Sequence, residues 1–317
     1  MNVNVLEKTF NDIRQMKIRG AGRIARAAVK ALEEYSLTLN VSSREEFIKS
    51  LESAGEYLKS SRPTAVSLPN AINYVISNFK KEALMLENRS AWIETFRRLC
   101  KDFIEKSISA IEKIGVIGAK RIRDGDVLLT HCNSEAALSV ILSAHRLNKN
   151  IKVYCTETRP KFQGLISASM LSKNGVDVTL IVDSAVRYFM NKIDQVIVGA
   201  DAITANGAIV NKIGTSLIAL AAKEARSKFM VAAESYKISP QTFYGDLIII
   251  EERSKYEIVS KDWLSRNKNV KVSNPAFDIT PPEYIDAIIT EVGIFPPQGI
   301  FILYKEMYGF QFKDIQS

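Results

Sequence analysis

Histidine is nearly missing from this chain of 317 residues, which has two, His131 and His145. That number excludes a histidine-rich metal centre, and no metal or other cofactor is expected. Cysteine is scarce too, with three (Cys100, Cys132 and Cys155), an odd number without a close pairing pattern. A disulfide framework is thereby argued against, and a reducing compartment is expected. No apolar run approaches the roughly 18 residues that a membrane span needs. The opening MNVNVLEKTFNDIRQ carries charges and amides where a secretory signal would need an apolar centre. These absences point to the cytoplasm and to no membrane partner. Nucleic-acid signatures, such as aromatic RNP strands or zinc-finger spacing, are missing as well.

What is present is ordinary for a globular protein: 46% hydrophobic and 25% charged residues. The length favours two domains. The net charge of +8 is spread along the chain and not gathered into a tail. A basic surface of this kind suits nucleic acid or a multiply charged anionic small substrate, and the missing modules favour the substrate.

Residues 1–114 read as a helical N-terminal domain. In residues 23–35 the apolar positions Ile24, Ala27, Ala28, Ala31, Leu32 and Tyr35 recur at helical spacing. Residues 44–58 repeat the pattern, Pro63 and Pro69 mark a break, and helix resumes through residues 71–79 and 91–114. From 115 to 317 short β-branched runs alternate with helical stretches: DVLLTH, KVYCTE, VTLIVD, QVIVGAD and KFMVAAE are each separated by a helix. Runs apolar on both faces mark a parallel sheet covered on both sides, so a doubly wound α/β domain succeeds the helical one. Residues 115–123 read as a short linker.

In open α/β sheets ligands bind beyond the carboxyl ends of the strands. The segments at those ends are THCNSEA, TETRPKFQG, DSA, GADAITANGAIVNK and AESYK. Cys132 precedes a helix that Asn133 or Ser134 can cap, and a thiol at a helix N-terminus is expected to have its pKa lowered. The plainer alternative is a small buried hydrophobe. Asp201 comes after a strongly apolar run, where a carboxyl short of donors keeps its proton. Its alternative is a loop aspartate bonded to nearby amides. Asn211 and Lys212 read as the opening of a helix through Leu220, with free amides and a lysine forming a phosphate site. RGAG (Arg19, Gly20, Ala21, Gly22) offers a similar arrangement, although an interhelical turn explains it equally well. Arg62, Arg159, Lys161 and Lys237 are further candidate cations, whereas Cys100 and Cys155 read as packing residues.

The segments RGAGRIARAA, THCNSEAALSV, TETRPKFQG, IVDSAVRYFM, VGADAITANGAIVNKIGTSLIAL and NPAFDITPPEYI together resemble the archaeal ribose-1,5-bisphosphate isomerases. These share a superfamily with methylthioribose-1-phosphate isomerases and with regulatory subunits of the translation-initiation exchange factor. The resemblance runs from about Arg19 to Tyr284. It implies a helical N-terminal domain on a Rossmann-like α/β domain, catalytic Cys132 and Asp201, and a homohexamer built as a trimer of dimers. It also implies substrate contacts at Arg19, Gly20, Ala21, Gly22, Arg62, Ser134, Glu135, Ala136, Asn211, Lys212 and Lys237. Gln163 and Asp278 match superfamily motifs. A place in AMP and nucleoside degradation, and AMP as an activator, come from the same resemblance. The mechanism it suggests has neutral Asp201 protonating the ring oxygen of the sugar and the Cys132 thiolate removing the C2 proton, with domain closure bringing RGAG and Arg62 onto a phosphate. The rival reading is a non-catalytic regulatory subunit of the exchange factor, against which the retained Cys132 and Asp201 argue. Methylthioribose-phosphate isomerases carry proline after RGA, where this chain has Gly22.

Overall fold

The computed structural model describes residues 3–308. The chain divides into two compact units, Met1–Ala110 and Ile111–Ser317. In the first unit, α1 (Val3–Arg14), α2 (Ala21–Ser36), α3 (Arg44–Lys59), α4 (Ser67–Ala83) and most of α5 (Arg89–Ala119) form an all-helical assembly. Each helix buries the stripe that its spacing sets. On α2 the buried apolar residues are Ala21, Ile24, Ala25, Ala28, Val29, Ala31 and Leu32. Phe47 from α3, Phe79 from α4 and Phe96 from α5 meet in the centre, with ring centroids 5.5 and 5.4 Å apart. All three are fully buried, and each such side chain stabilises the unit by roughly 1.5–3 kcal/mol.

Two readings of this half are corrected. Pro69 does not break the chain but sits in the first turn of α4, where its missing N–H has no helical acceptor to lose. Residues 115–119 are not a linker, because α5 continues through them. Gly115 and Gly118 give α6 (Glu135–Arg146) room to approach. A Cβ on Gly115 would lie 2.3 Å from Ser139 Oγ, and one on Gly118 would lie 2.6 Å from a Val140 methyl.

The second unit continues in the order β1 (Val127–Thr130), α6, β2 (Lys152–Thr156), α7 (Gln163–Lys173), β3 (Asp177–Ile181), α8 (Val186–Met190), β4 (Gln195–Val198), β5 (Ala202–Ile203), β6 (Ile209–Lys212), α9 (Thr215–Ala225) and β7 (Lys228–Ala232). It ends with α10 (Lys261–Arg266), β8 (Phe277–Thr280), β9 (Ala287–Thr290), β10 (Gly293–Phe295) and α11 (Ile300–Tyr308). Seven strands form one sheet in the order β10-β9-β7-β4-β1-β2-β3. All its pairings are parallel except that of β10 with β9. Because successive strand residues face opposite ways, Leu129, Val198, Val231 and Ile288 feed the core on one face. Leu128, Ile197, Met230 and Ile289 feed the core on the other. The α/β reading of the sequence is therefore met, with a sheet whose central strands are buried on both sides.

One element went unforeseen. β5, β6 and β8 form a small antiparallel sheet, built from the segment after β4 and a strand more than sixty residues downstream. Among the described residues no helix is long and apolar enough to cross a membrane.

Candidate active site

β1 lies between β2 and β4. From β1 the chain winds outward through β2 to β3, then returns to β4 and winds the other way through β7 and β9. The strand order thus reverses between β1 and β4, which opens a crevice beyond their carboxyl ends. Leu129 is level with Val196 in the register of this pair. Cys132 lies three residues beyond Leu129, and Asp201 five residues beyond Val196, so both leave neighbouring strands at the same end. The Cys132 thiol feels the charges of Lys212, Asp201 and Asp183.

Cys132 is partly exposed and holds a left-handed backbone, φ 66°, a conformation costing of order 1–3 kcal/mol for a residue with a Cβ. Its surroundings hold it there. Its N–H donates to Thr158 Oγ1 at 2.9 Å, and its carbonyl accepts from Ser167 Oγ at 2.7 Å. Ser134 caps α6 as expected, accepting from the Ala137 N–H at 3.2 Å. The expected fall in the thiol pKa is overturned. Burial pushes it up to about 11, because protein packed around the sulfur penalises the thiolate more than Lys212 and the Asn133 amide favour it.

Neighbouring groups were not foreseen. His131 is buried, with Nδ1 2.6 Å from Thr156 Oγ1 and Nε2 2.9 Å from the Ile213 carbonyl. Asp183 accepts from the Thr158 and Arg159 amides at 2.8 and 2.7 Å, fixing the loop after β2. The signal available in the sequence was polar residues placed at the ends of apolar strands, which by itself does not separate a positioning group from a solvated one.

Asn211 and Lys212 also differ from expectation. They end β6, not begin a helix, and pair with Asp278 and Phe277 of β8. The helix starts at Thr215 with Gly214 as its cap, φ 101°. Its amides are not free, since those of Gly214 and Ser216 donate to the two Asp278 oxygens at 2.7 and 3.1 Å. Burial holds the Asp278 carboxyl up at about 6, even though these amides and Lys212 pull it down. Asn211 and Lys212 are both buried, the Lys212 Nζ lying 5.0 Å from the centre of the Phe277 ring.

Lys237 is buried after β7, β4's other neighbour, and pairs with Glu234 at 2.7 Å. Glu135 and Ala136 open α6, and Gln163 opens α7. The Gln163 side chain is buried and its Oε1 has no hydrogen-bond partner among the described residues. Lys161 is drawn to Glu257 at 3.4 Å, and Arg159 lies over the Phe162 ring. Asp201 donates its N–H to the Val210 carbonyl at 2.8 Å, which anchors it to the start of the antiparallel sheet. Cys100 and Cys155 are fully buried packing residues, as expected.

In the first unit, Gly20 caps α2 with φ 89° and no side-chain acceptor, and Ala21 and Gly22 form the first turn. Arg19 is exposed and donates to the Met16 carbonyl at 2.7 Å. Arg62 is buried in the turn after α3.

The sequence pattern described as the Initiation factor 2 subunit family matches residues 17–297. A ribose 1,5-bisphosphate isomerase of Methanocaldococcus jannaschii is 53% identical over 307 residues, covering 97% of this chain and 96% of that protein. Among solved structures, the translation initiation factor eIF-2B of Pyrococcus horikoshii OT3 superposes with a TM-score of 0.79 at 30% identity, covering 92% of this chain and 97% of that one. The 5-methylthioribose 1-phosphate isomerase of the same organism superposes with a TM-score of 0.77 at 32% identity, covering 95% and 87%.

Proposed function

Because the chain belongs to the Initiation factor 2 subunit family, we propose that it is the family's aldose–ketose isomerase type, converting ribose 1,5-bisphosphate to ribulose 1,5-bisphosphate. The observation that carries this reading is the emergence of Cys132 and Asp201 from adjacent strands at the reversal of the sheet.

A phosphate on the C1 oxygen prevents the sugar from opening to a free aldehyde, so the ring must be opened by acid. Protonated Asp201 gives its proton to the ring oxygen as the bond from C1 to that oxygen breaks. The Cys132 thiolate takes the C2 proton, and the C–H electrons form the C1–C2 double bond of an enol. Cys132 then returns a proton to C1 while Asp201 accepts the O2 proton, which leaves the ketone at C2 and both residues in their starting forms. Each positioned transfer is worth about 10²–10⁴-fold. Lys212, Asn211, Lys237, Ser134, Glu135, Ala136 and Gln163 are assigned to substrate binding on this reading, as are Arg19, Gly20, Ala21, Gly22 and Arg62. The same reading makes the enzyme a cytoplasmic homohexamer, a trimer of dimers, activated by AMP and serving AMP and nucleoside degradation.

Incubation of the purified protein with ribose 1,5-bisphosphate tests the proposal. Ribulose 1,5-bisphosphate is expected, and Cys132→Ser and Asp201→Asn are each expected to lower kcat by about 10²-fold or more with little change in substrate affinity. Either variant retaining most of its kcat sinks the role given to that residue. The likeness to eIF-2B favours a second reading, a non-catalytic regulatory subunit, and absence of turnover in the wild-type protein would select it.

A further inference from the structure

We propose that His131 is a positioning residue for Cys132, acting through Thr156 and Thr158 to tie the Cys132 backbone to the turn just after Lys212. This inference rests on the role given to Cys132 above.

Four groups lie in sequence. The Cys132 N–H donates to Thr158 Oγ1 at 2.9 Å, and Thr158 Oγ1 lies 3.3 Å from Thr156 Oγ1. Thr156 Oγ1 lies 2.6 Å from His131 Nδ1, and His131 Nε2 lies 2.9 Å from the Ile213 carbonyl. The carbonyl end, together with a neutral imidazole, fixes the direction of the bonds between the two ends. A backbone amide only donates and a backbone carbonyl only accepts, so Nε2 carries the proton and Nδ1 accepts. Thr156 spends its hydroxyl proton on Nδ1, which leaves its oxygen to receive the proton of Thr158. The Thr158 proton has other acceptors in the Thr156 carbonyl at 3.5 Å and His131 Nδ1 at 3.4 Å, and each of these keeps the same direction. Burial depresses the basicity of His131, outweighing the Ile213 carbonyl and Asp183, while Lys212 depresses it further. The neutral ring that the chain of bonds requires is therefore the form present.

The far end of this chain is equally constrained. Ile213 donates to the Ala276 carbonyl at 3.0 Å, and Gly214 donates to Asp278. A Cβ on Gly214 would lie 3.3 Å from two atoms of the His131 ring, so the turn is seated against the imidazole. His131 thus joins the left-handed residue that carries the thiol to the turn directly after the cation that draws out its proton. Without the chain, Thr158 Oγ1 is no longer held against the Cys132 N–H, one of the two bonds that offset the unfavourable φ, and Cys132 is expected to relax outward.

Thr156→Val removes one hydroxyl without touching the thiol, and His131→Gln removes the Nδ1 acceptor while leaving a donor toward Ile213. Both are expected to lower kcat by about 10²-fold with KM changed about twofold or less. At about pH 8, iodoacetamide is expected to modify Cys132 faster in both variants than in wild type, because a relaxed thiol returns toward its ordinary acidity. Cys100 and Cys155 should stay unmodified, which separates local relaxation from loss of the fold. Thr156→Ser, which restores the hydroxyl, should return both readouts to within about twofold of wild type. Wild-type kcat in Thr156→Val or His131→Gln overturns the proposal, as does a Thr156→Ser variant as impaired as Thr156→Val. Alkylation needs no substrate. A wild-type protein inert toward ribose 1,5-bisphosphate, with the alkylation pattern as described, would therefore refute the proposed reaction while upholding the role of His131.

Discussion

Burial holds the Cys132 proton up to about 11 and so keeps thiolate scarce at neutral pH, and the charges around the sulfur adjust how much of it exists. Lys212 lowers this pKa, and Asp201 and Asp183 raise it. Alkylation of Cys132 in the free protein should accordingly keep climbing through pH 9 and level off only near 11. At a fixed pH of about 8, Lys212→Gln should slow the reaction by about three- to tenfold. A rate equal to that of wild type would show that this charge does not reach the sulfur. The position of Cys132 was legible in the sequence, because a strand end before a capped helix is a local pattern. Its acidity was not. The helix-end effect can be read from neighbouring residues, but the larger cost of burial comes from protein packed around the sulfur, including segments distant in sequence.

At the scale of the element, α9 begins where a carboxylate from another strand meets it. The pKa of Asp278 rises from an ordinary value of 3.8 to about 6 in the fold. A carboxyl raised in this way contributes stability that is fully present below about 4 and is lost as pH rises through about 6. The ionised form costs the fold on the order of 2–3 kcal/mol at neutral pH. Asp278→Asn cannot titrate, so wild type should gain thermal stability relative to the variant between pH 7.5 and pH 5, by several degrees in Tm. A difference independent of pH would contradict this. The parallel strands were readable because each is a compact apolar run flanked by helices. The antiparallel sheet was not: β5 has two residues, and β6 is recognisable as a strand only once β8, far along the chain, lies beside it. Asn211 and Lys212 consequently looked like the opening of a helix, and the anion at that helix end turned out to be the protein's own Asp278.

For the molecule as a whole, the net charge of +8 and the doubly phosphorylated substrate of the proposed reaction would give an attraction that acts before contact. Raising ionic strength from about 0.05 to about 0.5 M should therefore lower kcat/KM several-fold while leaving kcat near constant. A salt-independent kcat/KM would place the attraction wholly within the bound complex. The sheet class was foreseeable from the contrast between helical spacing and β-branched runs, whereas the reversal of strand order between β1 and β4 becomes visible only when the strands are laid side by side. That reversal has a mechanical consequence. Thiol and carboxylate hang from two hydrogen-bonded strands in the middle of a buried sheet, about 4.8 Å apart by the ordinary repeat. Loop motions do not set the gap between these two anchors, and widening it would mean unzipping the centre of the sheet. Warming the protein should therefore leave the strand ends in place, and any loss of alignment begins in the short segments beyond them, two residues to Cys132 and three to Asp201.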